Sequence, residues 1–190
     1  MVNKEFDPVI KEFFGRTGGE VAEIGSGHIH DSFRLTLPGK PAQPNHYFLQ
    51  RINLSVFKHP TEMMENICQI TEHIRTKMLR EREQDIDRKV LSVQYTLSGN
   101  PYFHEKKDLA WRVYRFIDRS YTVDTTGSID LLQSVAALYG RFLYQLSDLP
   151  PDSIHQTIPD FHSSESRLAQ FDAACQKDAF NRSAIAKAEI

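Results

Sequence analysis

The sequence predicts an α+β fold: a twisted antiparallel sheet of about five strands with one packed helix, followed by the first helices of a second, helical part. Three observations predict it. Short runs of period-two alternation fill the first 117 residues, one apolar stripe of helical period interrupts them, and after Ile117 the pattern becomes helical. The expected domains are therefore residues 1–117 and 118–190. A chain of 190 residues holds one domain, or one small domain and part of another.

Val9 to Phe14 reads as a short helix closed by Gly15, and the Gly18-Gly19 pair frees the chain to turn. Val21 to Ile24 leads into Gly25-Ser26-Gly27-His28-Ile29-His30-Asp31-Ser32. Phe33, Leu35 and Leu37 then alternate with Arg34 and Thr36, which gives strand, glycine turn, strand. Beyond a Pro- and Gly-rich connector, Tyr47 to Ile52 is the third strand. Pro60 and Thr61 open a helix whose Met63, Ile67, Ile70, Ile74 and Met78 share one face that should lie on the sheet. The mixed-sign run Arg80 to Lys89 ends it and belongs in solvent. Val90 to Leu97 alternates loosely. Tyr102-Phe103, a polar turn and Leu109 to Ile117 form a further hairpin, whose second strand is the most apolar and sets Trp111 in the core. After a polar connector, Ile129 to Leu146 is helical, with Phe142 and Tyr144 expected to be buried. Ser163 to Ala174 and Lys177 to Ile190 read as further helix. No stop signal follows, so the chain is expected to end inside an element.

Composition narrows the function classes. Lys and Arg number 23 against 25 Asp and Glu, for a net charge of −2, which disfavours a nucleic-acid backbone or an anionic membrane as partner. No run approaches the ~18 apolar residues of a membrane span. Cys68 and Cys175 have no C-x-x-C pairing and read as reduced thiols, so the expected compartment is the cytoplasm.

The order of glycine turn, basic residue on the third strand, helix with carboxylates, and apolar strand running into a connector is that of the small lobe of kinase-like phosphotransferases. A nucleoside triphosphate requires backbone N–H groups approaching without a Cβ in the way, a fixed cation, and an apolar slot with backbone hydrogen bonds for adenine. Gly25 and Gly27 answer the first need, Arg51 the second, and Tyr114 to Ile117 the third, with a hinge near Arg115 to Ser120. Alternation places Leu49 and Arg51 on one face of the third strand and Phe48 and Gln50 on the other. His28 and His30 stand close together but lack a third ligand of metal-site spacing, and read as polar loop residues. Asp160 and His162, beside Pro159, read as a helix-capping loop.

Five segments carry a resemblance over about Val21 to Arg167: Gly25 to Phe33, Tyr47-Phe-Leu-Gln-Arg-Ile-Asn53, Met64-Glu-Asn-Ile67, Trp111 to Ile117, and Thr157-Ile-Pro-Asp-Phe-His162. In these the chain resembles the N-acetylhexosamine 1-kinase group, often labelled mucin desulfatase, of the aminoglycoside phosphotransferase and choline kinase superfamily. The desulfatase label finds no chemical support, because the Cys/Ser-x-Pro-x-Arg sequence of sulfatases is absent. The resemblance implies an ATP- and Mg2+-dependent kinase acting on the anomeric hydroxyl of an N-acetylhexosamine. For nucleotide it implies Gly25, Ser26, Gly27, His28, Arg51, Glu65, Arg115, Phe116 and Ile117, with Glu65 as the candidate partner of Arg51. Helical geometry sets Glu65 nearly opposite the apolar stripe, so Glu62 and Glu72 compete with it. For the acceptor sugar it implies His28, His30 and Asp31. The family's His-Gly-Asp-type catalytic loop is missing from the 190 residues. Catalytic residues and metal ligands are therefore expected outside this chain, and the chain alone is expected to be inactive. The rival readings are a kinase of choline, homoserine, methylthioribose or an aminoglycoside, and a non-catalytic nucleotide-binding or interaction module.

Overall fold

A computed structural model describes residues 4–25, 27, 29–39, 45–121, 123, 125 and 127–186. The chain divides into two compact units, Met1–Thr157 and Ile158–Ile190. The boundary expected after residue 117 falls inside the first of them.

In the first unit, a 3-10 turn at Lys4–Phe6 runs into α1 (Asp7–Phe14), started by Pro8 and stopped by Gly15, whose φ of 67° lies in the left-handed region that glycine tolerates. Six strands among the described residues then form one antiparallel sheet: β1 (Glu20–Glu23), β2 (Asp31–Thr36), β3 (His46–Ile52), β4 (Val93–Gln94), β5 (Phe103–Lys106) and β6 (Leu109–Arg115). Their order is β1-β2-β3-β6-β4, with β5 folded back on the start of β6. The helix α2 (Pro60–Arg80) follows β3, and α3 (Ile129–Leu146) follows β6. The fold is α+β with an antiparallel sheet.

The sheet has a helix on each face, where the sequence led to the expectation of one. Phe6, Val9, Ile10 and Phe13 of the amino-terminal segment pack on Leu35, Leu49, Trp111 and Val113, all nearly inaccessible to solvent. Phe6 meets Phe33 and Trp111 edge-on, with ring centroids 4.9 and 5.7 Å away. On the opposite face Met63 and Met64 of α2 pack on Ile52 and Ala110. Further along α2, Ile74 and Met78 meet Val90 and, at the end of α3, Leu146. There His73 and Lys77 both donate to the Gln145 carbonyl, at 3.1 and 3.0 Å, and to the Asp148 carboxylate, at 2.9 and 2.8 Å. Polar groups of α2 thus satisfy a carbonyl at the negative end of α3. The Lys77 and His73 hydrogen bonds hold the Asp148 carboxyl down at about 2.

Three expectations change. The loose strand over Val90–Leu97 pairs only at Val93–Gln94, because the Thr96 N–H turns back to the Asn100 carbonyl and that of Leu97 bonds Glu12. Phe142 and Tyr144 are 39% and 67% exposed rather than buried, since α3 packs through Leu146 in its last turn. In the second unit, α4 (Ser164–Lys177) starts at Ser163, whose side chain accepts from the Ser166 N–H, and ends at Lys177. The helix expected from Lys177 onward does not form over the described residues. Asp178 adopts a left-handed φ of 35° and its carboxylate takes the N–H groups of Arg182 and Ser183, bending the chain.

Truncating the inaccessible Leu49 to Ala should lower unfolding free energy by about 2–5 kcal/mol in urea titrations. The Asp148 carboxyl is held below its unfolded pKa, so its contribution to stability is complete above about pH 4 and fades as pH falls toward 2. Asp148→Asn should therefore lower the melting temperature at neutral pH and flatten the loss between those two values.

Candidate functional site

Cross-strand register assembles the site. Ser32, Gln50 and Arg112 stand in one row across β2, β3 and β6, and Arg34, Phe48 and Tyr114 in the next. Alternation puts these six on the α2 face of the sheet, and Asp31, Phe33, Leu49, Arg51, Trp111 and Val113 on the α1 face. A cavity of about 650 Å³ opens on the first face, within the ~300–1,000 Å³ usual for small-molecule sites. The Gly25 and Gly27 backbone bounds it on one side, Ile67 of α2 and Leu91 on another, and Arg115, Phe116 and Ile117 at the end of β6. The β1–β2 connection is anchored by the Ile24 N–H to the Ser32 carbonyl, 2.9 Å. Gly25 has a φ of 83°, strained for any residue with a Cβ.

Two arginines line this cavity: Arg115 lies 3.5 Å from the Asp87 carboxylate, and Arg112 is the one without a carboxylate partner among the described residues. Its Nε and Nη2 donate to Gln50 Oε1 at 2.9 and 2.6 Å, Nη1 lies 3.6 Å from Met63 Sδ, and the guanidinium sits 5.6 Å from the Tyr114 ring centroid. Gln50 Nε2 in turn donates to Ser32 Oγ at 3.0 Å. No carboxylate pairs with Arg112 among the described residues. Burial pushes its pKa down from the ordinary guanidinium value, although arginine remains charged in proteins.

Arg51, expected here, occupies the other face. It bonds Asp31 at 3.1 Å, its guanidinium stacks 5.0 Å from the Trp111 ring centroid, and both residues border a separate depression with Asn53 and Ser55. Arg51 shares its face with Leu49, as alternation placed it, and lies over Trp111; Ile29 of the glycine connection borders the same depression, on the face opposite the cavity. Asp31 is likewise turned from the cavity. Glu65 is half exposed and bonds His155 at 2.8 Å instead of reaching Arg51. Glu62 lies 4.0 Å from His59. Ser26 and His28 lie outside the described residues.

His30 holds the carboxyl end of the glycine connection. Its Nδ1 accepts from the Asn53 N–H at 3.1 Å and its ring stacks on Phe57, centroids 5.0 Å apart. The Asn53 side chain accepts from the Ser55 N–H at 3.0 Å, and the Asn53 carbonyl from the Phe57 N–H at 2.9 Å, which closes a loop leading into α2. Burial first, and then the nearby Arg112 charge, push the His30 pKa below 6.5. At the far end of the cavity the Arg115 and Phe116 N–H groups are taken by Ser92 and His46 carbonyls, and the Ile117 carbonyl accepts from Ser120 Oγ. Among the described residues the Ile117 N–H has no partner.

Among the described residues no three His, Cys, Asp or Glu side chains stand together as a metal site, and no helix is long and apolar enough to cross a membrane. Arg112 is the site residue the sequence reading missed. Its signal was a charged residue inside the most apolar strand, sharing the parity of Ala110 and Tyr114 instead of Trp111 and Val113.

No family model matches the chain. Among solved structures it is similar to spectinomycin phosphotransferase in complex with ADP and spectinomycin, with a TM-score of 0.50 and 14% sequence identity. The similarity covers 93% of this chain and 46% of that one, so the chain spans about half the length of its structural neighbour.

Because the folded-state pKa of His30 lies below 6.5, its neutral, hydrogen-bonded form stabilises the fold fully above that pH and the benefit is lost on acidification. His30→Gln, which cannot titrate, should show a shallower fall in melting temperature between about pH 7 and pH 5 than the parent.

Proposed function

We propose that the chain is the nucleotide-binding part of an ATP-dependent small-molecule phosphotransferase, and that its acceptor is the anomeric hydroxyl of an N-acetylhexosamine. The observation that carries the nucleotide reading is a partly buried guanidinium, without a carboxylate to neutralise it among the described residues, on the wall of a cavity bounded by a glycine-bearing connection. Withdrawing a cation from water is unfavourable unless an anion answers it, and a phosphate does so in bidentate fashion. Gly25 and Gly27 let backbone approach that anion, while Phe116 and the unpartnered Ile117 N–H offer a base an apolar wall and one hydrogen bond. The ADP held by the structural neighbour supports the same reading. The Asp31, Arg51 and Glu65 placements do not, and the phosphate role expected of Arg51 passes to Arg112.

Acceptor choice rests on the sequence resemblance. In the whole protein, an acceptor oxygen in line with the γ-phosphate would complete the site, and acceleration would come from positioning and charge neutralisation. The described residues provide no cluster fit for Mg2+, so no step is assigned to a metal here. The same residues would serve a kinase of another small hydroxyl compound. A substrate panel that includes N-acetylglucosamine, N-acetylgalactosamine, choline and an aminoglycoside, run on the longest natural form of the protein, separates these. Phosphorylation of an acceptor other than N-acetylhexosamine replaces the sugar assignment.

Calorimetric titration of the 190-residue chain tests the nucleotide site. Arg112→Leu should weaken ADP binding on the order of 10- to 100-fold, the worth of a charge-assisted hydrogen bond, and leave adenosine within about threefold. Arg51→Ala should leave both unchanged. Equal loss in the two variants, or binding confined to the Arg51 face, would remove Arg112 from the site.

A further inference from the structure

We infer that Gln50 is a positioning residue that aims the Arg112 guanidinium at a bound anion without neutralising it, and that through Ser32 it makes the cation and the return arm of the glycine connection one hydrogen-bonded unit. The inference rests on the nucleotide reading of the cavity and names how the chain presents its charge there.

Hydrogen-bond accounting leads to it. Arginine has five N–H groups. Gln50 Oε1 takes one on Nε and one on Nη2, and Met63 Sδ lies near Nη1. One N–H on each terminal nitrogen remains without a partner among the described residues, and such a pair is the fork that grips two phosphate oxygens. The amide is engaged at both ends: Oε1 accepts twice, and one of the two Nε2 N–H groups is held by Ser32 Oγ, so the chain of contacts has one orientation. Both links run straight across the sheet, since Gln50 is the register partner of Ser32 and of Arg112.

The choice of an amide has an electrostatic consequence. A carboxylate of the same length would bond the same two nitrogens and form an ion pair, cancelling the charge on offer. A neutral acceptor fixes the geometry and leaves the full positive charge to the ligand. A shift of the glycine connection that moved Ser32 would reach Arg112 through a single intervening side chain.

Gln50→Glu separates this from a merely structural role. We expect the variant to keep its melting temperature or gain, to bind adenosine within about twofold of the parent, and to bind ADP roughly tenfold or more weakly, with a flatter dependence of ADP affinity on salt. Retained adenosine binding certifies the fold. Gln50→Met, of similar length and uncharged, should also lose ADP affinity while keeping adenosine, because Arg112 is no longer aimed. ADP binding by Gln50→Glu at the parent's affinity and salt dependence overturns the inference alone. Failure of the parent chain to bind either adenosine or ADP overturns the nucleotide reading, and the inference with it.

Discussion

A charged guanidinium held away from water with only a neutral partner is the constraint that organises the α2 face of this sheet. Desolvation of such an ion is unfavourable by several kcal/mol even after local relaxation, and folded chains ordinarily answer it with a carboxylate. Here the answer is one amide oxygen and a thioether. The surrounding side chains make sense as consequences. Gln50 and Ser32 stay polar in mid-strand because they must satisfy one another and Arg112, while Tyr114 offers its ring face to the cation. The opposite face carries the apolar load, so the polar row does not deprive the sheet of a core: Leu35, Leu49, Trp111 and Val113 are sealed by Phe6, Val9, Ile10 and Phe13.

Much of this was legible in the sequence, and the failure is instructive. The strands at residues 31–36, 46–52 and 109–115, the helix from Pro60 and the bounds of α3 follow from periodicity, because each is long enough for its apolar pattern to repeat. The short strand β4 and the chain after Lys177 do not, because side-chain and backbone bonds from residues four or five positions away, or from Glu12, decide them. The cleft-lining backbone at Gly25, Gly27 and Arg115 to Ile117 was legible as a glycine turn and a strand end. The cation was not. Period-two alternation reports parity alone, and parity cannot tell which face a helix will cover. Arg51 shares parity with Leu49, and that parity went to α1. Only the register that sets Arg51 opposite Trp111, and Gln50 opposite Arg112, distinguishes the two faces.

The frame around the cavity is tied at separate points that share α2. At its start, His30, Asn53 and Phe57 fasten the glycine connection to the segment leading into the helix. Its first two turns supply Met63 to Arg112 and Ile67 to the cavity wall. Towards its end, His73 and Lys77 bind the last turn of α3. A helix of 21 residues, about 30 Å long at 1.5 Å per residue, thus runs from the segment that holds the connection past the cation to the next helix.

That arrangement also fixes a division of chemical labour. The groups gathered at the cavity are two guanidiniums, amides, hydroxyls and backbone N–H donors, all suited to holding an anion and a planar base. Asp31 and the carboxylates on the first half of α2 are engaged elsewhere: Asp31 with Arg51 on the far face, Glu65 with His155, and Glu62 near His59. The imidazole of His30, near the cavity, uses its Nδ1 lone pair on the Asn53 N–H and is held toward its neutral form, so at that nitrogen it cannot also accept a proton from a ligand. Among the described residues the groups at the cavity are therefore arranged to bind and orient an anion rather than to take up a proton.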